Sequence, residues 1–430
     1  SMREGAVSML YKKGRRDDPA NYRPITLLNA TYKILARSMV LKFAEVLPYL
    51  VSQNQAGSQS EKYIGELTRM TQDLLDYVDE TEGEALILSC DQEKAFDMVD
   101  HEFMAKVLSA MNVPDGFIRL VQCCYASNRL CVKVNGHLGE RSAPKNGVKQ
   151  GCPLSPLLYV CAFQPFLSLI ALSDLQGVSC PGPLGDPEKR TTIKAQAFAD
   201  DLLAFLRGTA ELPLFKRLLS IYETGSGCNN NWNKSESLLR RGDARLPSGW
   251  DPAHGVQRPA VTSLGVVVGA SPEVAAHWDK KTGRAVDDKF GEWCSKRVPT
   301  TSNGRNLVIR NSVLSKVWYL FYNQCPPGGY DAHLLAWDKA AWSFFESGNY
   351  GSHGRGPLAS VKRGVLVQDY AEGGARCLDI ESFARALLAT WVVRRLPTTT
   401  MPWANLAWHT INKSYGHLRQ GKRLLTSNCD

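Results

Sequence analysis

The sequence predicts an α+β protein, with its sheet-forming runs in the first 271 residues and a mainly helical remainder. Three observations carry this. In Ala195-Gln196-Ala197-Phe198-Ala199-Asp200-Asp201-Leu202-Leu203-Ala204-Phe205, two acids separate two apolar runs, the pattern of a β-hairpin with a polar tip. Ala85-Leu86-Ile87-Leu88 reads as a buried strand, set among stretches whose apolar residues recur at helical spacing. Beyond Ser271-Pro272 the strand-like runs stop, and basic residues interleave with aromatics.

Composition sets the bounds. A chain of 430 residues is long enough for two or three domains and a substantial core. At 44% apolar and 22% charged residues it has the make-up of a soluble globular protein. No uninterrupted apolar run looks long enough to span a bilayer, and no signal-peptide pattern opens the chain. Ser1-Met2 reads as a processed tag on a segment of something longer. The 12 cysteines are scattered without C-x-x-C or zinc-like groupings, which predicts buried reduced thiols in a cytosolic or nuclear protein. A net charge of +9 biases the chain toward polyanions.

In order, Met9 to Tyr11 predicts a short strand leading into a basic, turn-rich segment that ends at Pro24. Its lysines and arginines either form a solvated loop or supply the point charge and planar fork that bind phosphate oxygens. Ile34, Met39, Val40, Phe43, Val46 and Leu47 predict one apolar helix face, and Ile64, Leu67, Leu74, Leu75 and Val78 a second. Asp91 follows the buried strand, where α/β sheets present functional groups; it could equally cap the next helix. Asn135-Gly136 predicts a hairpin turn. From Gly147 to Tyr159, glycines allow close backbone approach and prolines suit the start of a helix carrying Val160, Phe163, Phe166 and Ile170.

A loop rich in Gly and Pro, 177–189, leads to the acidic hairpin, whose residues alternate faces, so only one of Asp200 and Asp201 can point squarely at a given spot. Leu214 to Tyr222 predicts a helix, and Val261 to Val268 one strand with Gly265 at a close approach. After the boundary near Ser271-Pro272, Lys280, Lys281, Arg284, Lys289, Lys296, Arg297, Arg305 and Arg310 alternate with Trp278, Phe290, Trp293, Trp318 and Tyr319. That pattern builds either a bundle with solvated charges or a groove for a duplex backbone. Residues 396–430, with Arg419, Lys422 and Arg423, read as a basic, partly disordered tail.

Taken together, these stretches resemble the reverse transcriptase of non-LTR (LINE-type) retrotransposons. Asn21 to Asn29 is similar to the family's N-Y-R-P-I-S-L-L-N signature, Asp91 to Asp97 to D-x-x-K-A-F-D, and Gly147 to Tyr159 to G-V-x-Q-G-C-P-L-S-P-L-L-F. Phe198 to Asp201 matches [FY]-A-D-D, Asn231 to Glu236 resembles N-W-x-K-S-E, and Leu264-Gly265 the Y-L-G primer grip. Gly373-Gly374 and Leu378-Asp379-Ile380 resemble G-G-L-x-x-x-D-I. The boxes keep the family's order over roughly residues 6 to 395. Three places depart: Q-x-G-F-x-x-x-R becomes Gln55 to Lys62 without the aromatic, Ser263 replaces Tyr, and Cys228 and Asn230 replace apolar residues.

The resemblance implies a right-hand polymerase, with fingers and palm in 1–271, a helical thumb and post-thumb region in 272–395, and the tail in 396–430. It implies an RNA-directed DNA polymerase that adds deoxynucleotides to a primer 3′-hydroxyl on an RNA or DNA template. Asp91, Asp200 and Asp201 would meet around two Mg²⁺ ions (Mn²⁺ as substitute), Asp91 and Asp200 as direct ligands and Asp201 more weakly, because such ions want hard anionic oxygens. Lys12 (or Lys13) and Arg23 would grip the triphosphate, Phe96 would be the steric gate, and Gln150 and Gly151 the floor beneath the incoming nucleotide. Lys234 would protonate pyrophosphate, and Leu264 and Gly265 would hold the primer. Lys62, Lys280, Lys281, Arg284, Arg305 and Arg310 would hold template or duplex. The implied partners are an RNA template, a DNA or RNA primer and dNTPs, with no membrane, and a monomeric core in a ribonucleoprotein of nucleus and cytoplasm. Competing readings are a group II intron-type maturase, an RNA-dependent RNA polymerase, and a catalytically silent, domesticated RNA-binding scaffold; the intact acids and Phe96 weigh against the last two.

Overall fold

The apolar run that begins at Ala85 becomes the middle strand of a sheet, because nearly every side chain on it is covered. The computed structural model describes residues 4–126, 128–240, 256–296, 301–324, 329–348, 361–399 and 401–414. They fall into two compact units: Ser1–Leu67, Leu74–Pro181 and Glu188–Arg258 in the first, and Thr68–Asp73, Gly182–Pro187 and Pro259–Asp430 in the second.

In the first unit, the five-stranded sheet runs Val256–Gln257, Glu236–Arg240, Ala85–Cys90, Asp201–Leu206, Ala195–Phe198. Leu86, Ile87 and Leu88 are at most 1% exposed, so this strand reads as a continuous apolar run rather than an alternating one. The acidic hairpin forms as expected: Phe198 pairs with Asp201, leaving Ala199 and Asp200 as its loop. A four-stranded sheet runs Tyr22–Leu28, Glu4–Tyr11, Arg129–Val134, His137–Ser142. Its last two strands join at Asn135 and Gly136, both left-handed, as the Asn-Gly pair demands.

The core gathers on the helix Ser155–Leu172, where Leu158, Tyr159, Val160, Cys161, Ala162, Phe163 and Phe166 are wholly buried. By length and composition this helix is apolar enough to cross a membrane, although Ser155, Gln164 and Ser168 interrupt its apolar run. Most of it is buried, packing against the helices Ala30–Leu50, His101–Ala110 and Leu212–Ser226, while Leu172 at its end is exposed. On Ala30–Leu50, Met39, Val40, Phe43 and Leu47 join Tyr32 and Ala36 in the buried stripe. Ile34 and Val46 do not: they fall off that stripe and are 71% and 45% exposed. The second helix, Ile64–Glu80, buries Leu67, Leu74, Leu75 and Val78 as expected.

The long stretch of the second unit opens with a hairpin rather than the single strand expected across Val261 to Val268. Ala260–Ser263 pairs antiparallel with Val266–Gly269, and both loop residues, Leu264 and Gly265, are left-handed. Tyr319 Oη donates to the Leu264 carbonyl at 2.6 Å and Gln324 Nε2 to that of Val267. Those bonds bind the hairpin to its own unit, whose longest stretch begins at Pro259. The rest is helical, including Ser271–Trp278, Arg284–Ser295, Asp331–Ser347 and Ile380–Thr390, around buried Trp278, Phe290, Phe321 and Phe344. Within the expected tail, Trp403–Ser414 is a helix with Trp403, Leu406 and Trp408 buried. Arg297, Arg419, Lys422 and Arg423 lie outside the described residues. The described cysteines are free thiols.

Candidate active site

Strand pairing brings the acids together. Leu202 lies opposite Cys90 in the antiparallel pair, so Asp91 and Asp201 leave their strands at the same end, one residue beyond that pairing. Asp200 sits beside them in the hairpin loop. The three carboxylates feel one another. Burial raises the Asp200 carboxyl above its ordinary range, with the Asp91 charge adding to the rise and Lys12 and Arg23 opposing it. Asp201 keeps one side open to solvent. Desolvation by the surrounding protein, then the Asp200 and Asp91 charges, push it up to about 6 against Lys12.

The corner carrying Asp91 is held from far along the chain. The Asp91 N–H donates to Ser235 Oγ at 3.1 Å, and the Asn231 N–H donates to the Asp91 carbonyl at 2.7 Å. Ser235 Oγ in turn donates to the Asn231 carbonyl at 2.9 Å and accepts from Asn230 Nδ2 at 3.2 Å. Ser235 is therefore the anchor of its box, a part that sequence reasoning missed. The only signal was a polar residue just ahead of the run Ser237-Leu238-Leu239. Lys234, the residue singled out there, is exposed on the same loop.

Cations reach the acids from the other sheet. Leu10 pairs with Arg23 and Tyr11 with Tyr22, so Lys12 and Arg23 lie at one end of that strand pair. It is Lys12, not Lys13, whose charge acts on Asp200 and Asp201.

Phe96 lies in the short helix Ala95–Met98, stacked on Tyr159 with ring centroids 4.5 Å apart and planes at 15°. Tyr159 Oη donates to Gln92 Oε1 at 2.6 Å, which fixes the supporting ring. Gln150 Nε2 donates to Asp97 Oδ1 at 3.2 Å, and the Gln150 carbonyl accepts from the Thr26 N–H at 2.7 Å. Gly151 is left-handed at φ +104°, and a Cβ there would lie 2.6 Å from the Thr26 carbonyl oxygen, so only glycine fits. Lys149, also unforeseen, is buried beneath this loop. Its ammonium lies 4.5 Å from the Tyr32 ring centroid and 5.1 Å from that of Tyr125, and donates to the Cys124 carbonyl at 2.8 Å.

The remaining expected contacts divide. Lys62 Nζ donates to the Gln53 carbonyl at 3.0 Å. Lys280, Lys281 and Arg284 are exposed in the second unit. Arg310 is exposed and donates to the Arg376 carbonyl at 3.4 Å. Arg305 contradicts its expected role: it is 8% exposed, and its guanidinium donates to the Phe345 carbonyl at 2.7 Å and that of Glu346 at 3.4 Å. A fork spent on backbone carbonyls of its own unit is not offered to a nucleic-acid phosphate.

Among the described residues, no group of three or more His, Cys, Asp and Glu side chains is gathered closely enough to hold a metal by itself. The donor chemistry nonetheless fits a hard divalent ion, which is commonly held by one or two carboxylates and completed by water and substrate phosphates. Adjacent carboxylates with raised titration are such donors.

A family model described as reverse transcriptase (RNA-dependent DNA polymerase) matches residues 10–268. The chain is 31% identical over 411 residues to the transposon TX1 uncharacterized 149 kDa protein of Xenopus laevis, covering 95% of this chain and 30% of that protein. It is 27% identical over 237 residues to a retrovirus-related Pol polyprotein from the type-1 retrotransposable element R2 of Popillia japonica, covering 54% and 31%. It is 28% identical over 181 residues to the probable RNA-directed DNA polymerase from transposon X-element of Drosophila melanogaster, covering 40% and 20%. The chain thus spans a third or less of the length of these relatives. Among solved structures, telomerase from Candida tropicalis in complex with a fragment of telomeric RNA aligns at TM-score 0.48 and 11% identity, covering 95% of this chain and 64% of that one.

Proposed function

This chain belongs to the reverse transcriptase family, the RNA-directed DNA polymerases, and is of the non-LTR retrotransposon kind; we propose that its acidic corner joins a deoxynucleotide to a primer 3′-hydroxyl on an RNA template by a two-metal mechanism. The observation that carries this reading is the register placing Asp91 and Asp201 at one strand end, beside Asp200 and within reach of the Lys12 and Arg23 charges.

Asp91 and Asp200 hold the ions, and Asp201 contributes more weakly. When bound there, Mg²⁺ or Mn²⁺ lowers the pKa of the attacking hydroxyl and neutralises charge on the triphosphate. Lys12 and Arg23 bind phosphate oxygens as a point charge and a planar fork. Phe96, stiffened by Tyr159, fills the space a ribose 2′-hydroxyl would need. Gln150 and Gly151 form the floor beneath the base pair. Lys234 donates a proton to the departing pyrophosphate. Leu264 and Gly265 hold the primer, while Lys62, Lys280, Lys281, Arg284 and Arg310 hold nucleic acid by its backbone, leaving sequence to base pairing. On this reading the first unit supplies fingers and palm and the second the thumb.

Primer extension on an RNA template tests the reading. DNA synthesis from dNTPs that requires a divalent ion, with rNTPs poorly used, is the expected result. Binding of the template without any extension would instead support a silent RNA-binding scaffold.

A further inference from the structure

We propose that Gln55 is a positioning residue for the carboxylate at the hairpin tip: it holds Ala199 in a left-handed conformation and thereby fixes where Asp200 points. This rests on the reading of Asp200 as a metal-holding acid.

Ala199 has φ +56°, a region that residues with a Cβ rarely enter. The loop residues of tight hairpins are usually Gly, Asn or Asp for that reason. Alanine has no side-chain oxygen to stabilise the turn locally, so the support comes from elsewhere. Gln55 is wholly buried. Its Oε1 accepts from the Ala199 N–H at 2.8 Å, and its Nε2 donates to the Ala199 carbonyl at 3.2 Å. One carboxamide thus takes both backbone polar groups of the strained residue.

The clamp is itself rigid. Oε1 also accepts from the Gly57 N–H at 2.8 Å. The backbone on either side of Gln55 is bonded to the hairpin strand: the Ala197 N–H donates to the Asn54 carbonyl at 2.7 Å, and the Ala56 N–H to the Ala197 carbonyl at 2.8 Å. Gly57 must be glycine for this approach, since a Cβ there would lie 2.5 Å from the Ala199 nitrogen. Gln55, Ala56 and Gly57 therefore form a cradle for the turn that presents Asp200.

The test compares wild type, Gln55→Met, Ala199→Gly and the double variant, with Asp200→Asn alongside. Methionine keeps the length of the side chain and removes its hydrogen bonds; Ala199→Gly makes the left-handed turn easy without them. Gln55→Met should slow single-nucleotide insertion ~10²-fold, the scale of a small misplacement of a reacting group. It should weaken Mn²⁺ binding, read by electron paramagnetic resonance without substrate, ~10–100-fold. Primer–template affinity should hold, and adding Ala199→Gly should restore much of both losses. Wild-type insertion and Mn²⁺ binding in Gln55→Met, with Asp200→Asn inactive, would overturn the positioning role alone. Full activity in Asp200→Asn would overturn the underlying reading. A Gln55→Met chain that unfolds, or whose losses Ala199→Gly leaves untouched, would assign Gln55 to fold stability and also overturn the proposal.

Discussion

The backbone N–H of Asp91 donates to the hydroxyl of Ser235, 144 positions away in the chain, and Ser235 is 3% exposed. A serine just before the strand Glu236–Arg240 thereby sets the position of an acid at the end of its neighbour, the central strand. Ser235→Ala leaves the Asp91 and Asn230 donors without their acceptor. The loss of stability should be about 1–3 kcal/mol. Insertion should slow at the same time, because the acid loses its backbone tether. Urea unfolding and single-turnover insertion check both; unchanged values in both would deny the tether any role.

Phe96→Ala should relax sugar discrimination. With the ring gone from its place on Tyr159, the preference for dNTP over rNTP should fall on the order of 10²-fold. Competing incorporation of matched dNTP and rNTP measures it, and an unaltered ratio would sink the gate.

The acids also predict a pH signature for the metal-free protein. Desolvation pushes the folded Asp201 carboxyl up to about 6, whereas an unfolded Asp releases its proton at about 3.9. Between those values the folded state binds more protons than the unfolded one. Stability is therefore highest below the unfolded value and is lost as pH rises through the folded one. Asp201→Asn removes that loss, so its Tm should exceed wild type most at pH above about 7 and converge toward it near pH about 4. Thermal melts in chelator across this range give the answer. A gap that is constant, or that widens on acidification, contradicts the electrostatic account.

Two arginine and lysine substitutions separate structure from binding. Arg305→Ala should destabilise the protein by about 1–3 kcal/mol, since the Phe345 carbonyl loses its donor, and should leave the salt dependence of nucleic-acid binding intact. Lys280→Ala should do the reverse, lowering the slope of log affinity against log salt by about 1 with little change in Tm. Equal behaviour of the two variants would erase the distinction drawn from burial.

Much of this site was legible in the sequence where chemistry and pattern coincide. Two adjacent acids between two apolar runs that must be buried suggest a hairpin with a polar tip. Asp91, the first charge after the strand Ala85–Cys90, could by itself equally have capped a helix, and it was the family resemblance that joined it to the hairpin tip. Ser235 and Lys149 were not, because their work depends on which distant segment packs over them. Val261 to Val268 misled because Leu264 is an unusual residue for a left-handed turn, and nothing in a branched apolar side chain announces one. Arg305 misled because a cation among aromatics looks alike whether its fork faces phosphate or the carbonyls closing a neighbouring helix. Val46 shows the limit of spacing alone: one residue off the stripe at Leu47 is enough to face solvent.

The central claim is that the carboxylate held in the Phe198–Asp201 hairpin performs metal-dependent nucleotidyl transfer. Single-nucleotide insertion by Asp200→Asn on an RNA template, with primer–template binding measured in parallel, tests it most directly. The account predicts that insertion with Mg²⁺ is abolished while binding persists. Insertion at the wild-type rate by that variant would contradict it.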